Sequence, residues 1–136
     1  MDKDDSKRVC AVVVKESNSD CIFCRINNKE APANIVFEND DVVAFTPIDQ
    51  ISKGHTLVVP RKHYENIFDI DTEILKNIIE VAQNLSKQIS LKNNATGINL
   101  LHASGKDAQQ SVFHFHMHIV PRHEHDGLDL WLRENL

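Results

Sequence analysis

Three histidines, His114, His116 and His118, alternate with Phe115, Met117 and Ile119 in the stretch VFHFHMHIVPR, Val112 to Arg122. In an extended chain, residues two apart point to one side, so these imidazoles share a face at intervals of roughly 7 Å. Phe115, Met117 and Ile119 share the other face, which an overlying helix can bury. The chain has eight histidines in 136 residues, and packing or exposure alone does not call for three of them in five positions. Two chemistries suit the pattern. Imidazoles at alternate strand positions can chelate a metal ion. Alternatively, one neutral imidazole attacks phosphorus while its neighbours set its tautomer, bind substrate or receive charge. An imidazole with the ordinary pKa of about 6.5 is substantially neutral at cell pH. The phosphoramidate it forms is labile to water, which divides one hard displacement into two easier ones.

A second group of ligand-type residues is Cys21 and Cys24, whose spacing is that of half a zinc site. Two cysteines packing on a short amphipathic turn is the plainer reading. A thioredoxin-like redox pair fits poorly, because the surrounding pattern is not βαβ. With Cys10 the cysteines number three, and an odd count does not suggest a disulfide framework.

The elements that hold these residues follow from periodicity and turn chemistry. Residues 1–19 run from a charged start through a β-branched patch into KESNSD, which reads as an N-terminal extension. It is either partly disordered or an edge strand through Val12 to Val14. A single domain is expected over 20–136. Residues 21–28 form a short helix with Asp20 as N-cap. IVFENDDVVAF is a hairpin turning at Glu38 to Asp41. HTLVVP is a third strand ended by Pro60. Ile74, Leu75, Ile78, Ile79, Ala82, Leu85 and Ile89 recur at helical spacing, giving a long helix from Asp71 to Leu91. Asp71 caps its start, and Asn93, Asn94 and Gly97 stop it. GINLLHA is a fourth strand, and VFHFHMHIV a fifth that Pro121 terminates. Short connections within each strand run favour antiparallel pairing, so the class is α+β.

The formal charge of −5 offers no basic field to a polynucleotide, though a small phosphate ligand in a local pocket remains allowed. No apolar run approaches the roughly 20 residues of a membrane span. The charged start, MDKDDSKR, lacks the apolar core of a signal peptide. The expectation is a cytoplasmic protein, with the nucleus also open, and with no nucleic-acid or membrane partner.

QSVFHFHMHIVPR resembles the signature of the histidine triad nucleotide-binding family. KGHTLVVPRKHYENI resembles a second stretch of that family, and CIFCRI the opening motif of its Hint-like, cysteine-bearing branch. The three lie in family order and cover most of residues 20–122. The resemblance implies an antiparallel sheet of about five strands with one long helix and a short N-terminal helix. It implies a homodimer with a continuous sheet. It also implies a nucleoside 5'-phosphoramidate hydrolase of the adenosine 5'-monophosphoramidase type, working on a purine nucleotide through a nucleotidyl-histidine. By motif position, His116 is the nucleophile, and the carbonyl of His114 helps to fix its ring. His118 contacts the phosphate and leaving group, Gln110 and Ser111 help to bind them, and His55 sits near the phosphate. The cysteine-bearing branch resembles the galactose-1-phosphate uridylyltransferases, which implies a structural zinc on Cys21, Cys24, His63 and His114.

Two positions depart from the family pattern. Pro47 stands where an acid usually binds the ribose, with Asp49 two residues on as a substitute. Ala103 and Ser104 replace two asparagines, and only Ser104 keeps a polar group. Ile22, Phe23, Ile26, Phe37 and Phe45 are candidate walls for a base pocket, or plain core. Trp131 lies in a tail that either reaches the site or the dimer partner, or packs on the surface. His102 is expected to be a hydrogen-bonded structural residue, and His123 and His125 solvated. The rival readings are a non-catalytic nucleotide-binding regulator, a dinucleoside polyphosphate hydrolase, and a metallohydrolase using the triad as ligands.

Overall fold

The computed structural model describes residues 18–132; Cys10 and the Val12 to Val14 patch lie outside them. The chain folds as a five-stranded antiparallel sheet covered on one face by one long helix. Strands β1 (Asn34–Glu38), β2 (Val42–Thr46), β3 (Thr56–Pro60), β4 (Gly97–Leu101) and β5 (Met117–Arg122) lie in the order β1-β2-β3-β5-β4. The short helix α1 spans Ile22–Asn27 and the long helix α2 Thr72–Asn93. A 3-10 turn covers Lys106–Ala108. This is the expected α+β class.

Alternation along the strands builds two cores. Val42, Ala44, Val58, Phe115 and Ile119 face α2 and pack on its buried stripe of Ile78, Val81, Ala82 and Leu85. Val43, Phe45, Leu57 and Val59 point to the opposite face, where Phe23 and Ile26 of α1 cover them. The central strands β2 and β3 are therefore buried on both sides. Asp71 caps α2 by accepting from the N–H groups of Glu73 and Ile74. Asn94 takes the left-handed conformation that closes its other end. Gly54, at φ +93, lets the chain before β3 pass close to that end. A Cβ there would stand 2.7 Å from Asn93 Nδ2 and 3.0 Å from Ile89.

Three sequence expectations are corrected. The N-cap of α1 is Cys21, not Asp20, because the Cys21 sulfur accepts from the Cys24 N–H at 3.4 Å. The fifth strand begins at Met117 rather than Val112. Pairing with β3 ends at Val58 opposite Met117, and upstream the N–H of Phe115 goes to the Tyr64 carbonyl at 2.7 Å. Pro121 does not end the strand but lies inside it, opposite Ile98. Its carbonyl faces the side where β3 has already ended and accepts from the Ser52 hydroxyl. A missing N–H on that side breaks no ladder bond. Pro60 does close β3, as expected.

Candidate functional site

His114 and His116 lie in irregular chain just ahead of β5, and His118 is its second residue. The alternation of faces survives without the ladder: Phe115 and Ile119 go to the helix-side core, and the three imidazoles to the other face. His116 is 6 % exposed. Its Nδ1 lies 2.8 Å from the carbonyl of His114. A carbonyl only accepts, so Nδ1 carries the proton and Nε2 keeps a free lone pair. Phe23 stands edge-on to the ring, with centroids 5.2 Å apart. Burial holds the imidazole below its ordinary pKa, against the opposing pull of the His114 carbonyl. The ring is thus a neutral base of defined tautomer.

His118 is oriented by a chain of donors. The N–H of Ile51 donates to His55 Nδ1 at 3.2 Å. The neutral His55 ring then carries its proton on Nε2, which lies 3.0 Å from His118 Nδ1. The neutral His118 ring is left with a proton on Nε2. Burial lowers the His55 pKa. Burial, aided by the neighbouring imidazoles, pushes His118 down to about 4. The rings of His116 and His118 are 5.1 Å apart. One therefore offers a lone pair and the other an N–H, which is what displacement at phosphorus needs: an attacking atom beside a donor for the leaving group.

The second histidine centre begins at the other end of the same segment. His114 is fully buried, and its Nε2 lies 2.9 Å from the Pro60 carbonyl. That fixes the proton on Nε2 and turns the Nδ1 lone pair towards Cys21 Sγ at 3.3 Å, Cys24 Sγ at 3.5 Å and His63 Nδ1 at 3.2 Å. Cys24 Sγ in turn lies 3.3 Å from His63 Nδ1. All four donor atoms fall within 4.8 Å of one another. Zinc bonds of about 2.0–2.3 Å set in a tetrahedron give ligand–ligand edges of roughly 3.3–3.8 Å, close to these separations. The Cys21 thiol is held far below its usual pKa, chiefly by the Cys24 thiol beside it and then by His114 and His63, against its own burial. A thiolate, two converging imidazole nitrogens and a second sulfur are the donor set of a structural zinc site. The His114 contact to Pro60 is the outer hydrogen bond that such a ligand makes.

The remaining expected residues fall in varied places. Gln110 is buried, and its amide is fully engaged within the protein. It accepts from Gly105 N and donates to the carbonyls of Glu65 and Val112. It braces the loop ahead of the triad. Ser111 is exposed and lines a cavity of about 430 Å³ with Ile22, Cys21, His63 and Phe113. Ile22 is 41 % exposed there, whereas Phe45 is core. Asp49 is exposed in the turn before β3. Ser104 accepts from the N–H of Ile67, so its polar group serves a loop. His55 is 4 % exposed and is in hydrogen-bond contact with His118. Trp131 is exposed. His125 is exposed as expected, but His123 is not solvated: its Nε2 donates to the Asn93 carbonyl at the end of α2.

Of the main-chain groups that decide these tautomers, the His114 carbonyl was expected through the family resemblance, whereas sequence reading misses the carbonyl of Pro60 and the N–H of Ile51. Backbone partners leave no composition signal. No helix among the described residues is long and apolar enough to cross a membrane.

A family model for the HIT domain matches residues 28–125, most of the chain. A HIT-like protein of Borreliella burgdorferi is 41% identical over 110 residues, covering 79% of each chain. An adenylylsulfatase of Arabidopsis thaliana is 31% identical over 118 residues, covering 87% of this chain and 59% of its own. Among solved structures, a Streptococcus mutans protein superposes with a TM-score of 0.84 at 33% identity, covering 89% of this chain and 77% of that one. A zinc-bound histidine triad family protein of Mycobacterium smegmatis superposes with a TM-score of 0.77 at 34% identity, covering 80% and 79%. Together, the matched span, the sheet order and the paired histidine centres make this chain a member of the HIT domain family, with the cysteine–histidine cluster of its zinc-bound subgroup.

Proposed function

We propose that the protein is a nucleoside 5'-phosphoramidate hydrolase acting through a covalent nucleotidyl-histidine. The observation that carries this is the tautomer of His116: a buried neutral ring, protonated at Nδ1 by its bond to the His114 carbonyl, with Nε2 free. Nε2 attacks the α-phosphorus of the nucleotide. The bond from phosphorus to the leaving nitrogen breaks, and the His118 Nε2–H supplies the proton that the departing amine takes up. Water then attacks the phosphorus of the nucleotidyl-histidine. It gives a proton back to His118 Nε2, returns the lone pair to His116 and frees the nucleoside monophosphate. Burial strengthens each of these contacts relative to water.

Zinc on Cys21, Cys24, His63 and His114 belongs to the same proposal, in a structural role. When bound, it would neutralise the thiolate and lock His114, whose carbonyl sets the His116 ring. It would hold no substrate, since His116 and His118 are outside the cluster. Dimerisation is proposed through the β4 edge of the sheet, where among the described residues the strand has a partner only on its β5 side and Leu100 is 44 % exposed.

The test is release of AMP from adenosine 5'-phosphoramidate by purified protein, beside His116→Ala. Turnover by the wild type, none by the variant, and persistence of activity through a short assay in chelator would support the reading. If neither protein releases AMP, the hydrolase reading fails for this substrate class. Binding of AMP without turnover would then favour a nucleotide-binding regulator.

A further inference from the structure

His116 is fixed at both its ring and its main chain. The His114 carbonyl holds the ring, and the imidazole of His102 holds the main chain. His102 Nδ1 lies 2.9 Å from the His116 carbonyl. The β4–β5 register, with Leu101 opposite His118, would bring Ala103 opposite His116 if the ladder continued. It does not continue, because β4 ends at Leu101 and β5 starts at Met117. The chain turns away, and the ring of the next residue donates to the carbonyl that has lost its ladder partner.

The network around His102 has one consistent assignment of protons. The His116 carbonyl accepts, so His102 Nδ1 is protonated and Nε2 of the neutral ring is bare. Ser104 Oγ accepts from the N–H of Ile67 at 2.9 Å and turns its own proton to His102 Nε2. The ring is clamped flat on Phe115, stacked at 4.2 Å, and Phe115 is itself fully buried. Ile67, Ser104, His102 and the His116 carbonyl thus form a line of donors ending on the peptide that carries the attacking ring.

We propose that His102 is a positioning residue for the nucleophile, supplying from its side chain the hydrogen bond that the interrupted strand cannot. The inference rests on the hydrolase reading for its kinetic readout but not for its chemical one. A reacting atom displaced by about 1 Å loses about a hundredfold in rate. His102→Ala in the full chain is therefore expected to lower kcat for adenosine 5'-phosphoramidate by about ten- to a hundredfold, with KM moving less than about threefold. His102→Asn, whose amide nitrogen can stand near the lost Nδ1, recovers most of that loss. Ser104→Ala leaves the ring but frees its tautomer, and falls between.

The rate at which a small acylating reagent carbethoxylates His116, read by peptide mass spectrometry, follows the same order. That readout needs no turnover, so a wild type that releases no AMP would sink the hydrolase reading and leave this one still tested. A His102→Ala protein with wild-type kcat and acylation rate overturns the proposal. So does a loss that His102→Asn fails to recover at unchanged melting temperature. If His102→Ala does not fold, Ser104→Ala decides: wild-type kcat and acylation rate there also overturn it.

Discussion

His114 and His116 are two residues apart, point to one side of the chain and are both buried, yet they are prepared for opposite work. His114 gives its Nε2–H to the Pro60 carbonyl and turns Nδ1 into a cluster with two sulfurs and another imidazole. His116 gives its Nδ1–H to the His114 carbonyl and keeps Nε2. One centre gathers electron pairs around a point that a cation can fill. The other keeps its imidazoles neutral by burial. Residue type and burial are alike, so the difference lies in which ring nitrogen a backbone carbonyl occupies. The two centres also share a part: the residue that faces the cluster through its side chain sets the nucleophile through its main chain.

The sharpest way to break the comparison is to remove one histidine from each centre. His116→Ala is expected to lower AMP release by at least about a thousandfold while leaving the metal content and melting temperature near wild type. His114→Ala should lose zinc, stability and activity together, measured by metal analysis, thermal melts and the same assay. If His114→Ala kept its metal, the division of labour would be wrong.

Next in size is Cys24→Ala, or prolonged chelation. A structural zinc contributes its binding free energy to folding, so the melting temperature should drop by more than about 10 °C. The protein surviving a short chelator treatment should still turn over.

The pH response tests the burial of the His116–His118 pair. His116 and His118 titrate below the ordinary value of about 6.5 that they have in the unfolded chain, His118 near 4. Between the folded and unfolded values the unfolded state binds more protons, so stability rises with pH there. It is full above about 6.5 and declines as the pH falls from there through about 4. The melting temperature of His118→Asn should therefore fall less between pH 7.5 and 5 than that of the wild type. In the wild type, kcat/KM should stay level as the pH passes down through 6.5 and decline only below it. A decline centred on 6.5 would mean that burial does not hold these rings neutral.

The smallest effect is a control away from both centres. Asp71→Ala removes the cap of α2, costs about 1 kcal/mol and lowers the melting temperature by a few degrees without touching kcat.

The histidine spacing was legible because a period of two is the one repeat an extended chain reads directly. It put Phe115 and Ile119 in the core and the imidazoles opposite, as found. Where the strand starts was not legible. Val112 to His116 has the composition of a strand, and only remote partners, the Tyr64 and Pro60 carbonyls, draw it off the sheet. Cap rules prefer Asp20 to Cys21, but the turn that aims the Cys21 thiol at His114 also lets it cap α1. His63 was reachable only through family resemblance, since one histidine in a loop carries no spacing signal. His102 was read correctly as hydrogen-bonded, but its partner, the His116 carbonyl, depends on where two strands stop. Gln110, expected at the phosphate, braces its loop with both ends of its amide, through backbone partners that spacing does not announce.

The most direct test of the central claim is to quench the protein during turnover of adenosine 5'-phosphoramidate and map the adduct by peptide mass spectrometry. The account predicts an acid-labile adenylyl group on the peptide containing His116, absent in His116→Ala. Turnover with no adduct, or with an adduct on a residue other than His116, would contradict it.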